Sequence, residues 1–341
     1  MRLYRLIYDP TSRLREADLL PVDEPFKPYP PVHRVRFNAG LRLAVFIGAA
    51  MAVLVVAGLG VGVFFVAASF GSDSAGSSED ALRGLVSNPI LAVSLELAAA
   101  IVGYMVLASA QEGRRWPVEL AWRRAGGLLK GMALGFVAIS VTVGLLALLG
   151  AYRIVGFNGA YSPWLDLLTL GVGAAVAEEL LFRGVVFRLL EDTFGTILAL
   201  AASSVVFGAV HLTNPDGSLL GAAGIAIEAV CLPAVYIATR SLWWSIGLHF
   251  AWNVTEGPIW GSIVSGTGEA NSWLRAEWSG PEWLTGGAFG IEGSAALMVV
   301  MGALNAWLLV MAARSKSFVA PTWTRRRRLV ERAASASQAA S

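Results

Sequence analysis

The sequence predicts an all-α protein, a polytopic transmembrane helix bundle of about eight spans. Three observations predict it. Of the 341 residues, 56% are hydrophobic and only 15% charged, whereas soluble domains carry about 25% charged residues. Mean hydropathy is +0.62. The apolar residues fall in runs of roughly 20, the length that at about 1.5 Å per residue crosses the hydrocarbon core of a bilayer.

Residues 1–40 are polar and rich in proline, with Pro10, Pro21, Pro25, Pro28, Pro30 and Pro31. They predict an irregular tail, and no apolar core stands close enough to the start to act as a secretory signal. The bundle is expected over 41–313. Its spans are about Leu41–Phe70, Pro89–Ala110, Gly126–Gly150, Trp164–Leu190, Thr196–Leu212, Leu219–Thr239, Leu242–Val264 and Ser294–Ala313. A basic tail, 314–341, closes the chain. Arginines and lysines mark the cytoplasmic side. They cluster before the first span, between the second and third (Arg114, Arg115, Arg123, Arg124), and after the last (Arg314, Lys316, Arg325–Arg328). The first outer loop instead carries Asp73, Glu79 and Asp80 with Arg83. Eight spans with both termini cytoplasmic reconcile all of these clusters. The arginine run at 325–328 reads as an anchor beside anionic lipid.

Net charge is +2, which gives no case for nucleic acid, and the single cysteine, Cys231, excludes an intramolecular disulfide. The segment 265–293 holds Trp273, Trp278 and Trp283. On this topology it is external, with the tryptophans as anchors at headgroup level or, alternatively, as part of a cap over substrate.

The informative residues are the polar ones inside the apolar runs. A charge at the bilayer centre costs about 2.5–3.5 kcal/mol on insertion scales, yet the fourth span contains Glu178, Glu179 and Arg183 within six residues. Glu179 and Arg183 are i,i+4 and share a helix face, so they can pair. Glu178 lies about 100° further round the helix and is expected to face a cavity instead. The fifth span ends in Phe207 and His211, and the seventh holds His249 and Asn253, also i,i+4. Polar groups from three helices thus stand at comparable depth. Glu96, Glu228 and Glu256 fit no such pattern. Glu228 is placed to line the cavity or to be a hydrogen-bonded carboxyl, and Glu256 to touch water near the outer boundary.

These residue types suit hydrolysis. A carboxylate and a histidine can activate water, and a second histidine with an asparagine amide can steady a developing oxyanion. In that division Glu178 and His211 serve the water, and His249 and Asn253 the tetrahedral intermediate. Glu178, His211 and His249 could equally hold zinc with an open water position. Spacing leaves the two possibilities open.

The pattern Glu178-Glu179-x-x-x-Arg183, Phe207-x-x-x-His211, His249-x-x-x-Asn253 resembles the three-motif signature of the CPBP intramembrane proteases. That family includes type II CAAX prenyl endopeptidases and bacteriocin-processing or self-immunity (ABI) proteins. The resemblance covers a core of about 164–256. It implies a peptidase acting on a peptide or membrane-protein substrate within the bilayer. Glu178 would be the general base beside His211, His249 and Asn253 would form the oxyanion site, and Glu179 and Arg183 would orient the first set. A metal-dependent mechanism, with zinc as cofactor, and a glutamate-type one are both compatible with it. The alternative is a non-enzymatic scaffold or immunity protein of the same fold; haem between His211 and His249 is a third reading. Composition rich in Ala, Gly, Val and Arg points to a bacterial plasma membrane. Span arithmetic puts His249 nearer the cytoplasm than His211, so the site is expected to open inward.

Overall fold

The computed structural model describes residues 39–69, 83–85, 87–111, 116–268, 270–314, 317–321, 323–324 and 338. The proline-rich tail up to residue 38, the acidic first outer loop, Arg114, Arg115, Lys316 and the arginine run at 325–328 lie outside the described residues.

The chain is a helical bundle. Its helices are α1 (Ala39–Ser69), α2 (Pro89–Val106), α3 (Gly126–Leu148), α4 (164–194), α5 (Thr196–Val210), α6 (Leu219–Glu228), α7 (Cys231–Thr239), α8 (Leu242–Val254) and α9 (Ala295–Arg314). Local chemistry sets several of their ends. Asn88 caps α2 by accepting from the amides of Ile90 and Leu91, with Pro89 in the first turn. Ser218 caps α6 through the amide of Gly221. α4 is helical throughout, but wide π turns over Leu167–Ala174 and Leu180–Phe187 flank its central Ala175–Glu179. α8 likewise runs on as a π turn, Thr255–Ile259, that contains Pro258.

Among the described residues, six stretches are long and apolar enough to cross a membrane: Gly40–Gly60, Pro89–Ser109, Trp122–Leu148, Thr196–Thr213, Leu219–Thr239 and Ala295–Arg314. They make this an integral membrane protein. The two expected spans outside the six are α4 and α8, whose polar load explains the difference. α4 carries Glu178, Glu179, Arg183, Arg188, Glu191 and Asp192, and α8 carries His249 and Asn253. These two helices are shielded by the others and hold the polar interior.

Glycine positions α8. Gly131 and Gly135 on α3 meet the carbonyls of Trp244 and Leu248, and Gly247 on α8 meets that of Leu128. An added Cβ would stand 2.2, 2.5 and 2.1 Å from those oxygens. Such close backbone approach is how small residues pack helices where lipid removes the hydrophobic drive between them. It turns Trp244, Leu248 and Ala251 toward α3. The other side of α8, with His249 and Asn253, packs against α4.

A buried ionic layer ties one end of the bundle together. Arg42 of α1 meets Asp192 of α4 at 3.2 Å. Arg240, in the left-handed conformation that ends α7, pairs with Glu191 and donates to the Ser317 carbonyl at 2.8 Å. Thr196 donates to Glu191 at 2.6 Å and accepts from the Val319 amide at 2.7 Å. The opposite end holds the only sheet among the described residues. Strands β1 (Tyr152–Phe157) and β2 (Leu274–Trp278) pair antiparallel, Tyr152 against Trp278 and Phe157 against Leu274, with a bulge between Ile154 and Gly156. This pair, of strands far apart in the sequence, is a local departure from the all-helical expectation. Two of the three tryptophans of 265–293 have partners beside it. Trp278 donates to the Gly261 carbonyl and packs on Tyr152, and Trp273 packs on Tyr161, while Trp283 alone of the three is exposed.

Candidate active site

The centre of α4 supplies the first group. The Glu179 side chain is fully buried, and its Oε1 accepts from Arg183 at 2.8 Å and from His249 Nδ1 at 3.0 Å. The in-helix pair expected from the i,i+4 spacing therefore has a third member on α8, which the spacing did not reveal. With Nδ1 committed to Glu179, the other ring nitrogen of His249, Nε2, lies 4.0 Å from Glu178 Oε2. Glu178 is partly open, its side chain 28% exposed. Glu96 on α2 interacts electrostatically with it.

Phe207 is the hinge between this group and the next. The Arg183 guanidinium lies 4.5 Å from the centre of its ring, and the rings of Phe182, His211 and His249 lie 4.8, 4.8 and 6.1 Å away. One turn on, the 3-10 turn His211–Thr213 ends α5. His211 Nδ1 sits 2.7 Å from the Phe207 carbonyl. A carbonyl only accepts, so Nδ1 carries the hydrogen and Nε2 keeps a lone pair. Asn253 donates from Nδ2 to the Leu170 carbonyl at 2.9 Å, which fastens α8 to the first wide turn of α4. Its amide retains a second N–H.

Phe207, His211, His249 and Asn253 line one cavity of about 20 Å³ together with Glu228 and Glu292, enough for a water molecule. Glu178 is not among its lining residues. The structure thus gathers His211, His249 and Asn253, with Glu178 joined to them only through His249. That differs from the expectation that Glu178 faces all three. His211 closes α5, and Ser265 and Glu292 of the connecting segment before α9 reach the lining, so the cavity lies toward the strand end, away from the ionic layer. Glu256, expected at water, is fully buried and accepts from Ser262 at 3.2 Å.

Glu292 is a site neighbour that sequence reasoning missed. It accepts from Trp252 Nε1 at 2.9 Å and from Ser265 Oγ at 2.6 Å. It lies outside every apolar run in a glycine-rich connection, where nothing local signals burial.

A metal held by Glu178, His211 and His249 fits this arrangement poorly. Both histidine Nδ1 atoms are engaged by protein acceptors, which leaves each Nε2 open as a ligand, but Glu178 stands off the cavity that the two histidines line, and the described residues contain no group of three or more His, Cys, Asp or Glu able to hold a metal ion.

Residues 160–255 match the family model described as "Type II CAAX prenyl endopeptidase Rce1-like". The match runs from just before α4 to the end of α8 and contains all three motifs. No curated protein and no solved structure matches the chain.

Proposed function

We propose, from the premise that residues 160–255 are a Rce1-like segment of an intramembrane CAAX-type protease, that this protein is an endopeptidase hydrolysing a peptide bond by a metal-free, glutamate-type mechanism. The observation that carries the proposal is the relay across His249: Nδ1 fixed by the buried Glu179–Arg183 pair at 3.0 Å, Nε2 turned to within 4.0 Å of Glu178.

In this mechanism Glu178 takes a proton from water and the water oxygen attacks the scissile carbonyl carbon. His249, bound to Glu179 through Nδ1 and donating from Nε2 as the imidazolium, and the second N–H of Asn253 donate to the oxyanion. His211, in the cavity lining, takes on the proton that Glu178 has drawn from the water and delivers it to the leaving amine as the C–N bond breaks. Glu179 and Arg183 act through His249. The substrate is a peptide or membrane-anchored protein reaching the site within the bilayer. The positive-inside pattern supports cytoplasmic termini, with the ionic layer on the same side, and the Ala-, Gly-, Val- and Arg-rich composition supports a bacterial plasma membrane.

The test uses full-length protein in detergent with two peptide probes, one prenylated at a C-terminal CAAX cysteine and one unmodified membrane-spanning peptide, products being read by mass spectrometry. Glu178→Gln and His211→Ala should each abolish cleavage while leaving folded protein. Full activity in both variants would remove the assignment and favour a binding role for the same fold.

A further inference from the structure

Glu228 ends α6, directly before the two-residue break that leads into α7. Its residue is 1% exposed, and neither carboxyl oxygen has a hydrogen-bond partner. Burying a carboxyl without a donor is costly in any environment and more so within a bilayer. Such a group persists where it has a use.

No protein donor bonds to either of its oxygens. Several polar hydrogens of the same lining already have acceptors: those of Trp252 and Ser265 go to Glu292, that of His249 Nδ1 to Glu179, and that of His211 Nδ1 to Phe207. What remains on the cavity is the second N–H of Asn253 on one part of the lining and, on another, the two oxygens of Glu228 and Nε2 of His211. A cavity of about 20 Å³ with such a lining suits one small molecule with two hydrogens to give.

We propose that Glu228 is a positioning residue for the hydrolytic water, accepting one of its hydrogens while the other is left to the Glu178–His211 pair that activates it. This rests on the hydrolase reading and extends it to a carboxyl outside the three motifs. The water's oxygen is then left with its lone pairs directed away from both acceptors, the orientation needed for attack on a carbonyl carbon. Glu228 keeps this role at the expense of stability, because an apolar residue of similar size would remove an unsatisfied buried group.

The experiment compares Glu228→Leu, Glu228→Gln and Glu178→Gln in the full-length protein, measuring thermal unfolding in detergent and steady-state cleavage of the prenylated peptide. Glu228→Leu should unfold at or above the wild-type midpoint and yet lose at least about tenfold in kcat, with KM changed by less than about twofold. Glu228→Gln, which keeps one acceptor oxygen, should fall between. A merely structural Glu228 gives the reverse pattern, a lowered midpoint with kcat intact, and overturns the proposal. Wild-type kcat in Glu228→Leu with no cleavage by Glu178→Gln also overturns it while leaving the hydrolase reading in place. Undiminished cleavage by Glu178→Gln defeats that reading instead. An experimental structure showing waters decides independently of activity and of variant folding. Density bridging Glu228 and His211 supports the proposal, and Glu228 bonded only to protein donors overturns it.

Discussion

Glu179 can be tested apart from its neighbour because two of its roles separate energetically. In Glu179→Gln the Arg183 guanidinium, 2% exposed, loses its anionic partner at 2.8 Å. Breaking a buried pair from one side costs about 3–5 kcal/mol, since the stranded charge stays buried. The bond to His249 Nδ1 at 3.0 Å shares the same oxygen, so its own worth of about 1.5–3 kcal/mol overlaps with that loss. The double variant Glu179→Leu/Arg183→Leu removes both charges. Replacing a buried pair by apolar residues is often neutral or stabilising, and the residual deficit is the guanidinium contact with Phe207 at 4.5 Å, about 0.5–2 kcal/mol. Thermal or denaturant unfolding in detergent should therefore show a large loss in the single variant and near-complete recovery in the double. Cleavage should not recover, because His249 has lost the carboxylate that aims it, and misplacement by about 1 Å costs on the order of 100-fold. A double variant as active as wild type would refute the claim that Glu179 acts through His249.

The scaffold gives three further expectations. Gly247→Val places a side chain 2.1 Å from the Leu128 carbonyl and should separate α8 from α3 at a cost of about 1–3 kcal/mol or more, read as a lowered unfolding midpoint. Arg240→Ala strands Glu191, which is 1% exposed, and should cost about 3–5 kcal/mol; limited proteolysis of the chain after α9 should quicken, since Arg240 also holds the Ser317 carbonyl. Trp252→Phe removes the indole donor to Glu292 together with buried ring volume and should cost at least about 1.5–3 kcal/mol in the same unfolding assay.

The parts of the fold legible in the sequence are those with local physical signatures. Long apolar runs gave the helical bundle, and the polar residues inside them marked α4, α5 and α8 as the helices around the site. Periodicity on one helix also paired Glu179 with Arg183. What periodicity cannot carry is contact between segments distant in sequence. The second partner of Glu179 comes from α8, seventy residues away. The β1–β2 pair joins two short strands separated by five helices, and Glu292 is buried by a connection that locally looks exposed. Glu228 and Glu256 were visible as intramembrane carboxylates, but only the packing of α6 and of the turn after α8 shows that both are enclosed. The placement of Glu178 was obscured for a related reason: the helical period gives its angle on α4 but not which neighbouring helices close the cavity that it stands beside.

The central claim is that Glu178 serves as the base in peptide-bond hydrolysis, and its most direct test is single-turnover cleavage of the prenylated peptide by wild type and Glu178→Gln, with equal unfolding midpoints confirmed beforehand. A general base contributes about 10²–10⁴-fold, so the variant should be slower by that factor. Equal rates in the two proteins would contradict the claim.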